Sequence, residues 1–215
     1  MNIKRYIATI ILAIVLLLNF SCTDWLDVKP VDRMSEDQLY STEAGFRQAL
    51  NGIYVELNHA DLYGDELLVN TVEILAQRYK FSSMGTLTNQ YHLAEFDYTT
   101  DYAKKCGSRI WEKAYALIAN VNKLLKNADS HKDLFTGDSY DLITGEAYAL
   151  RAFLHFDLLR LFGPVYKTHK EDKSICYNTQ FSLSGSDLLP ASKVMEYVIA
   201  DLKEAEDRLA KDPII

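Results

Sequence analysis

The sequence has 215 residues, of which 23 are Lys or Arg and 30 are Asp or Glu, so its formal net charge is −7. A net acidic chain without a basic run lacks the electrostatic surface of nucleic-acid-binding proteins, so we expect no nucleic-acid partner. A hydrophobic content of 48% is sufficient for a sizeable core in one or two domains.

The N-terminus has the pattern of a secretory signal peptide over residues 1–21. Lys4 and Arg5 form a basic start, and an apolar run follows that ends before Ser21. This run is too short to span a bilayer comfortably, which favours a cleaved signal over a transmembrane helix. We therefore predict that the chain is exported.

Cys22 stands directly after Ser21, and this order indicates a lipoprotein signal. The cysteine would be acylated and become the mature N-terminus, which would anchor the protein to a membrane without spanning it. The usual lipoprotein motif has Leu three residues before the cysteine, where this chain has Asn19. The alternatives are an ordinary secretory signal with an incidental cysteine and an uncleaved anchor. Residues 22–34 are interpreted as a lipid-anchored tether.

Three helical segments are predicted before residue 80. Ser35 and Gln38 have the spacing of a capping box in front of a short helical turn. Thr42 is predicted to start a stronger helix, in which apolar residues recur every three or four positions. A further helix is predicted over residues 65–79, whereas the aromatic-rich stretch 90–102 permits no assignment.

Ser108 is predicted to cap the next helix, which has two adjoining apolar stripes from Trp111 onward. Two stripes indicate contacts with two neighbouring elements. Asn122 lies on the apolar stripe, and we interpret it as a satisfied core amide bonded to a loop backbone rather than as a ligand contact. A polar connection is predicted over residues 128–140, and a last helix is predicted from Pro190 through Lys211.

The stretch 145–167 predicts a long central helix with a sharp end. Gly163 is expected to supply a left-handed C-cap, and Pro164 prevents continuation of the helix. The few polar residues fall on two opposite strips, and the broad flanks between them are apolar. A helix with this pattern is covered on both sides, so Phe153 and Phe156 are expected to lie in the core. One polar strip holds Glu146, Asp157 and Arg160, and the other holds Arg151 and His155.

The sequence lacks the common signatures of a catalytic or metal centre. It has no glycine-rich phosphate loop and no His/Cys cluster with metal-ligand spacing, so no catalytic residue, metal or cofactor is assigned. No carboxylate pair stands out as acid and base, and an enzyme therefore ranks last among the function classes. Cys106 and Cys176 could pair in an exported protein, or could remain buried as thiols.

The central helix carries a long motif, Gly-Glu-Ala-x-x-x-Arg-Ala-Phe-x-x-Phe-Asp-Leu-x-Arg-x-Phe-Gly-x-Val. This motif resembles the signature helix of the SusD/RagB family, which are nutrient-binding lipoproteins of the Bacteroidetes outer membrane. The start of the tether and the segment from Trp111 to Asn122 are also similar to the family. The matching residues of the motif are Gly145, Glu146, Ala147, Arg151, Ala152, Phe153, Phe156, Asp157, Leu158, Arg160, Phe162, Gly163 and Val165.

The resemblance implies an all-α fold, an irregular helical bundle with tetratricopeptide-like helix pairs. Residues 35–215 would form the N-terminal helical domain of such a protein. That domain is expected to be incomplete, because members of the family are typically more than twice this length.

The resemblance also implies a function at the outer membrane. The protein would be a surface lipoprotein, anchored through Cys22, that binds a nutrient such as an oligosaccharide and delivers it to a TonB-dependent transporter. A helical-repeat scaffold that binds only protein partners is the alternative.

The ligand-binding residues are unknown, and none is carried over from the family. Sugar rings stack on aromatic side chains, so tyrosines in polar loops are the candidates, although a single tyrosine is more typical of the edge of a core. The candidates and their polar neighbours are Tyr63 and Asp65 in one loop, Tyr91, Tyr98 and Tyr102 in another, and Tyr177, Asn178 and Gln180 in a third.

Overall fold

The computed structural model of the chain describes residues 35–83, 85, 87–181, 186–210 and 212. The predicted signal peptide, Cys22 and the predicted tether lie outside these residues. The described part is helical, with a single isolated antiparallel bridge between Lys173 and Pro190 and no β-strand, so the all-α prediction is confirmed. The helices are α1 (Glu36–Leu39), α2 (Glu43–Leu57), α3 (Thr71–Leu75), α4 (Thr88–Ala94), α5 (Asp101–Ser130), α6 (Ser139–Phe162), α7 (Tyr166–His169) and α8 (Ala191–Leu209), with a 3-10 turn at Lys132–Leu134.

Helix α6 is the centre of the molecule, as its apolar flanks predicted. It packs against α8, α5 and α2. One end contributes Ala147 and Leu150 to a cluster with Phe46 of α2. The other end contributes Leu154 and Leu158 to a cluster shared with α5 and α8. Each fully buried aliphatic side chain of this kind stabilises the fold by about 1.5–3 kcal/mol, so these two clusters supply much of the driving force for packing.

The helix starts show where local sequence signals are sufficient. The helix predicted to start at Thr42 is α2, and Thr42 is its N-cap, whose hydroxyl accepts a hydrogen bond from the Gly45 backbone amide at 3.2 Å. The predicted cap at Ser108 is wrong, because α5 already begins at Asp101 and Ser108 lies exposed within it. The actual cap is Thr100, whose hydroxyl accepts from the Ala103 amide at 3.3 Å. The first turns of α5 were missed because they bury small residues, which leave a weak apolar pattern.

The helix predicted over residues 65–79 is mostly wrong. Only Thr71–Leu75 is helical, and the segment before it is a series of turns. The turns surround the carboxylate of Glu66, which is 1% exposed and accepts hydrogen bonds from the side chains of Asn70, Thr71 and Arg109. A buried carboxylate needs such partners, and bringing them together requires a turned backbone in place of a helix.

Helix α6 ends at Phe162 as predicted, but by a different mechanism. Gly163 has φ −84° and ψ 167°, which is extended and not left-handed. A Cβ at this position would lie 2.4 Å from the carbonyl oxygen of Leu159, so glycine is required by close approach of the backbone. At its other end the helix starts at Ser139, and α5 continues to Ser130, so the predicted polar connection over 128–140 is shorter than expected.

Candidate functional site

A buried polar cluster lies where α5, α6 and α8 meet. Arg151 donates two hydrogen bonds of 2.7 Å to the two carboxylate oxygens of Asp201, and both residues are less than a tenth exposed. The same guanidinium donates to the Asn122 amide oxygen at 2.9 Å and to the Thr179 carbonyl at 3.3 Å. Tyr177 donates its hydroxyl to Asp201 as well. A buried ion pair needs additional hydrogen bonds of this kind to offset its desolvation.

His155 belongs to the same cluster, and its imidazole is neutral. The backbone amide of Asn178 donates a hydrogen bond to Nε2 of His155 at 3.0 Å. The ring proton must therefore lie on Nδ1, which faces the Arg151 carbonyl at 2.8 Å. Burial, assisted by the positive charge of Arg151, lowers the pKa of His155 to about 4. The ring of Tyr177 stacks on the imidazole at a centroid distance of 3.9 Å, and burial beside Asp201 raises the pKa of the Tyr177 hydroxyl.

The buried cluster positions the segment from Tyr177 to Thr179 and offers no accessible site. Asn122 donates its amide to the Asn178 carbonyl at 2.9 Å, so the prediction of a core amide bonded to a loop backbone is confirmed. Tyr177 is 8% exposed, which removes it from the candidates for sugar stacking. Cys106 and Cys176 are free thiols, the first buried and the second half-buried.

An open cleft of about 550 Å³ lies between α3, α4, α5 and the end of α6. Its floor is apolar, and its rim carries an exposed tyrosine together with hydroxyl, ammonium and carboxylate groups. The lining residues are Thr71, Leu75, Leu93, Tyr98, Ala103, Lys104, Gly107, Ser108, Trp111, Glu112, Leu161 and Phe162.

Three aromatic side chains give this cleft its chemical character. Trp111 meets Phe162 edge to face at a centroid distance of 5.1 Å, and both are half-buried in the wall. Tyr98 is 57% exposed at the rim. Gly107 also lines the cleft and adds no side chain to it. A Cβ at this position would meet only Phe162, at 3.6 Å. An apolar pocket with a few polar groups is the usual form of a small-molecule site.

The other tyrosine candidates are distributed over the surface rather than gathered in one place. Tyr91 and Tyr102 are half-buried and do not line the cleft. Tyr63 lies beside α6, where its hydroxyl donates to Asp157 at 2.8 Å. Gln180 is exposed, whereas the backbone amide of Asn178 donates a hydrogen bond to His155.

Trp111 was missed as a candidate because it stands on an apolar helical stripe, which is typical of a core residue. Phe153 was also misjudged, since it is 44% exposed although the sequence placed it in the core. The apolar periodicity of the last helix likewise predicts that Tyr197 and Leu202 point inward, but they are 38% and 47% exposed. Phe153 stacks on Tyr63 and Tyr197 stacks on Tyr177, yet each side chain remains more than a third exposed.

The described residues offer no metal site, since nowhere among them do three His, Cys, Asp or Glu side chains come together. None of the described helices is both long and apolar enough to cross a membrane.

Three kinds of comparison place this fold among known proteins. The model of a SusD-like family, described as starch-binding and associating with the outer membrane, matches residues 24–213. SusD-like protein P2 of Formosa agariphila is 27% identical over 208 residues, which are 96% of this chain and 38% of that protein.

Solved structures with the same fold come from Bacteroides species. A SusD-like carbohydrate binding protein from Bacteroides vulgatus has a TM-score of 0.66 and 21% identity, covering 80% of this chain and 36% of the other. A SusD superfamily protein from Bacteroides thetaiotaomicron has a TM-score of 0.61 and 20% identity, covering 78% and 37%. The chain thus spans well under half the length of the relatives that it matches. Because the family model matches most of the sequence, from residue 24 to residue 213, the chain belongs to the SusD-like family.

Proposed function

We propose that this chain is the N-terminal helical part of an outer-membrane surface lipoprotein that binds carbohydrate and does not cleave it. The observation that supports this most strongly is the match over residues 24–213 to a family described as starch-binding and associating with the outer membrane. That description names binding and no reaction. We further propose that the bound carbohydrate is delivered to a TonB-dependent transporter.

The open cleft is our candidate for the binding site. Sugar rings have apolar C–H faces that pack on aromatic side chains, and hydroxyls that need hydrogen-bond donors and acceptors. Tyr98 and Trp111 supply the first requirement. Lys104, Ser108 and Glu112 stand exposed on the same lining and supply the second. A cleft of about 550 Å³ lies within the range of volumes typical of ligand pockets.

Calorimetric titration of the protein with a panel of hexasaccharides tests the site. We expect binding without release of shorter products, and weaker binding by a Tyr98→Ala variant. Tyr166→Ala is the matched control, because Tyr166 is also exposed, at 43%, and lies outside the cleft. Equal loss of affinity in both variants would argue against the cleft, and appearance of shorter sugars would indicate an enzyme.

The anchor is proposed at Cys22, with residues 1–21 removed as a signal peptide and residues 22–34 acting as a tether. Acyl chains hold a protein at a membrane by about 0.8 kcal/mol per buried CH₂ group, so two or more chains make the attachment stable. Cys22→Ala should move the protein from the membrane to the soluble fraction after cell lysis. A variant that stays with the membrane as firmly as the parent would contradict lipid anchoring.

A helical scaffold for protein partners remains the second candidate, and the exposed side of α8 favours it. Ile199 and Leu202, which lie about 60° apart around the helix axis, are 46% and 47% exposed there. Capture of a TonB-dependent transporter by the tagged protein, together with carbohydrate binding, would support the first proposal. Capture without affinity for any carbohydrate of the panel would support the scaffold.

A further inference from the structure

A second aromatic surface lies on the side of α6 opposite the buried cluster. Phe153 stacks on Tyr63 with a centroid distance of 5.1 Å and an interplanar angle of 22°. Phe153 nevertheless remains 44% exposed, so one aromatic surface faces solvent. We call Phe153 and Tyr63 the aromatic platform. Flat, exposed aromatic surface of this kind suits the apolar face of a sugar ring.

The platform is bordered by an acceptor and a donor held close together. Asp157 follows Phe153 by one helical turn and accepts the Tyr63 hydroxyl at 2.8 Å and the Arg160 guanidinium at 3.0 Å. Each carboxylate oxygen therefore has one protein partner and can accept a further hydrogen bond. Arg160 has an exposed side chain, at 64%, with donors to spare. Neighbouring hydroxyls of a pyranose could bond to this pair at the same time.

Asp157 and Arg160 also line a hollow that adjoins the cleft. The hollow has a volume of about 140 Å³ and is lined by Asp157, Arg160, Leu161, Leu67 and Val72. Leu161 also lines the cleft, and Val72 directly follows Thr71, which is another cleft residue. The hollow and the cleft are therefore neighbours on one surface, separated by the start of α3 and the end of α6.

We propose that the aromatic platform and the hollow form a second subsite, which binds another ring of the same polysaccharide that occupies the cleft. This inference rests on the proposed function, because it takes the ligand to be a carbohydrate chain. The sugar ring packs on Phe153, and its hydroxyls bond to Asp157 and Arg160.

The charges of the two sites specify the class of polymer. The hollow contains one carboxylate and one guanidinium, which are paired. The lining of the cleft contains one cation, Lys104, and one anion, Glu112. Neither site has the excess of positive charge that recognises a uronic acid or a sulfated sugar. The subsite therefore takes a neutral hexose or pentose.

The test compares long and short neutral oligosaccharides by calorimetry, in the parent and in the Phe153→Ala variant. The probes are the hexasaccharides and disaccharides of the malto, cello, xylo, laminari and manno series. We expect the variant to lose about two- to tenfold in affinity for the hexasaccharide that binds, the scale of one aromatic contact. Arg160→Gln, a change at an exposed position, should weaken binding in the same direction.

Phe181→Ala is the matched control, because Phe181 is 46% exposed and does not line either site. A loss in Phe153→Ala but not in Phe181→Ala supports the subsite. Unchanged affinity in Phe153→Ala, combined with a loss in Tyr98→Ala, would overturn the subsite and leave the proposed function standing. Binding of hexagalacturonate in preference to every neutral probe would overturn the neutral ligand class. A parent that binds no carbohydrate probe would contradict both proposals.

Discussion

Helix α6 carries two side-chain environments that invert the usual relation between polarity and burial. On one side Arg151 and His155 are polar, yet they are 6% and 0% exposed. On the opposite side Phe153 is apolar, yet 44% of it faces solvent. The two sides are separated by only two residues along the sequence.

The difference lies in the partners that each side finds. Arg151 is enclosed because α8 brings Asp201 and α5 brings Asn122 to within hydrogen-bond distance. Phe153 stacks on Tyr63, from the turn region after α2, and 44% of it stays exposed. A buried polar group with all its partners is structural, whereas an exposed aromatic group with spare surface is available for binding. The comparison therefore assigns stability to the buried side of α6, and it supports our proposal that the other side takes part in recognition.

Removal of Arg151 should have the largest effect on stability. Arg151→Met leaves the carboxylate of Asp201 buried without its bidentate partner, which we expect to cost about 3–5 kcal/mol in the free energy of unfolding. Arg160→Met is the control, because that ion pair with Asp157 is exposed and should contribute only about 0–1 kcal/mol. Urea denaturation followed by circular dichroism measures both. Similar midpoints for the two variants would show that the buried pair does not support the fold.

Two adjacent apolar residues should separate core from surface. Leu154 is 1% exposed, and Leu154→Ala should cost about 2–5 kcal/mol because it leaves a cavity in the core. Phe153→Ala should cost no more than about 1.5 kcal/mol, since it removes mainly the stacking on Tyr63. The sequence alone predicted a core-sized loss for Phe153. A thermal melt in which Phe153→Ala is as damaging as Leu154→Ala would restore that prediction.

Acid should destabilise the buried side through His155. The folded pKa is about 4 and the ordinary value is 6.5, so the unfolded chain binds a proton that the folded chain refuses. The contribution of His155 to the free energy of unfolding is fully present above pH 6.5. It falls by about 3 kcal/mol as the pH drops toward 4. His155→Gln should remove this part of the pH dependence, as measured by urea denaturation between pH 7 and pH 4. An unchanged slope in the variant would show that His155 is not the responsible group.

Two glycines should give small changes of opposite sign. Gly145 of α6 faces α8, where a Cβ would lie 2.9 Å from Leu209, so Gly145→Ala should cost about 1–3 kcal/mol through overpacking. Gly107 of α5 lines the cleft, and a Cβ there meets no atom closer than 3.6 Å. Gly107→Ala should stabilise the helix by about 0.5–1 kcal/mol, because glycine is a poor helix former. Thermal melts measure both changes, and a loss of stability in Gly107→Ala would show that the cleft floor is already filled.

Much of the fold could be predicted because its signals are local. The cap at Thr42 needs only a hydroxyl and the next three amides, and the central position of α6 follows from its apolar flanks. Asn122 was recognisable because an amide on an apolar stripe requires a buried partner. The family resemblance was also recognisable from the sequence, because the motif in α6 is a single continuous segment.

The site depended on the tertiary structure, because periodicity shows which residues share a face and not what covers that face. Tyr177 and Tyr98 both stand in polar stretches, yet only Tyr98 is exposed, since Asp201 of α8 draws the first inward. The segment around Glu66 forms turns in place of the predicted helix, because the buried Glu66 carboxylate binds Arg109, which lies far along the chain. Trp111 and Phe162 form one wall only where α5 crosses the end of α6. The sequence by itself determined the long helices α2, α6 and α8 and the family, while long-range packing decided which aromatic side chains remained exposed.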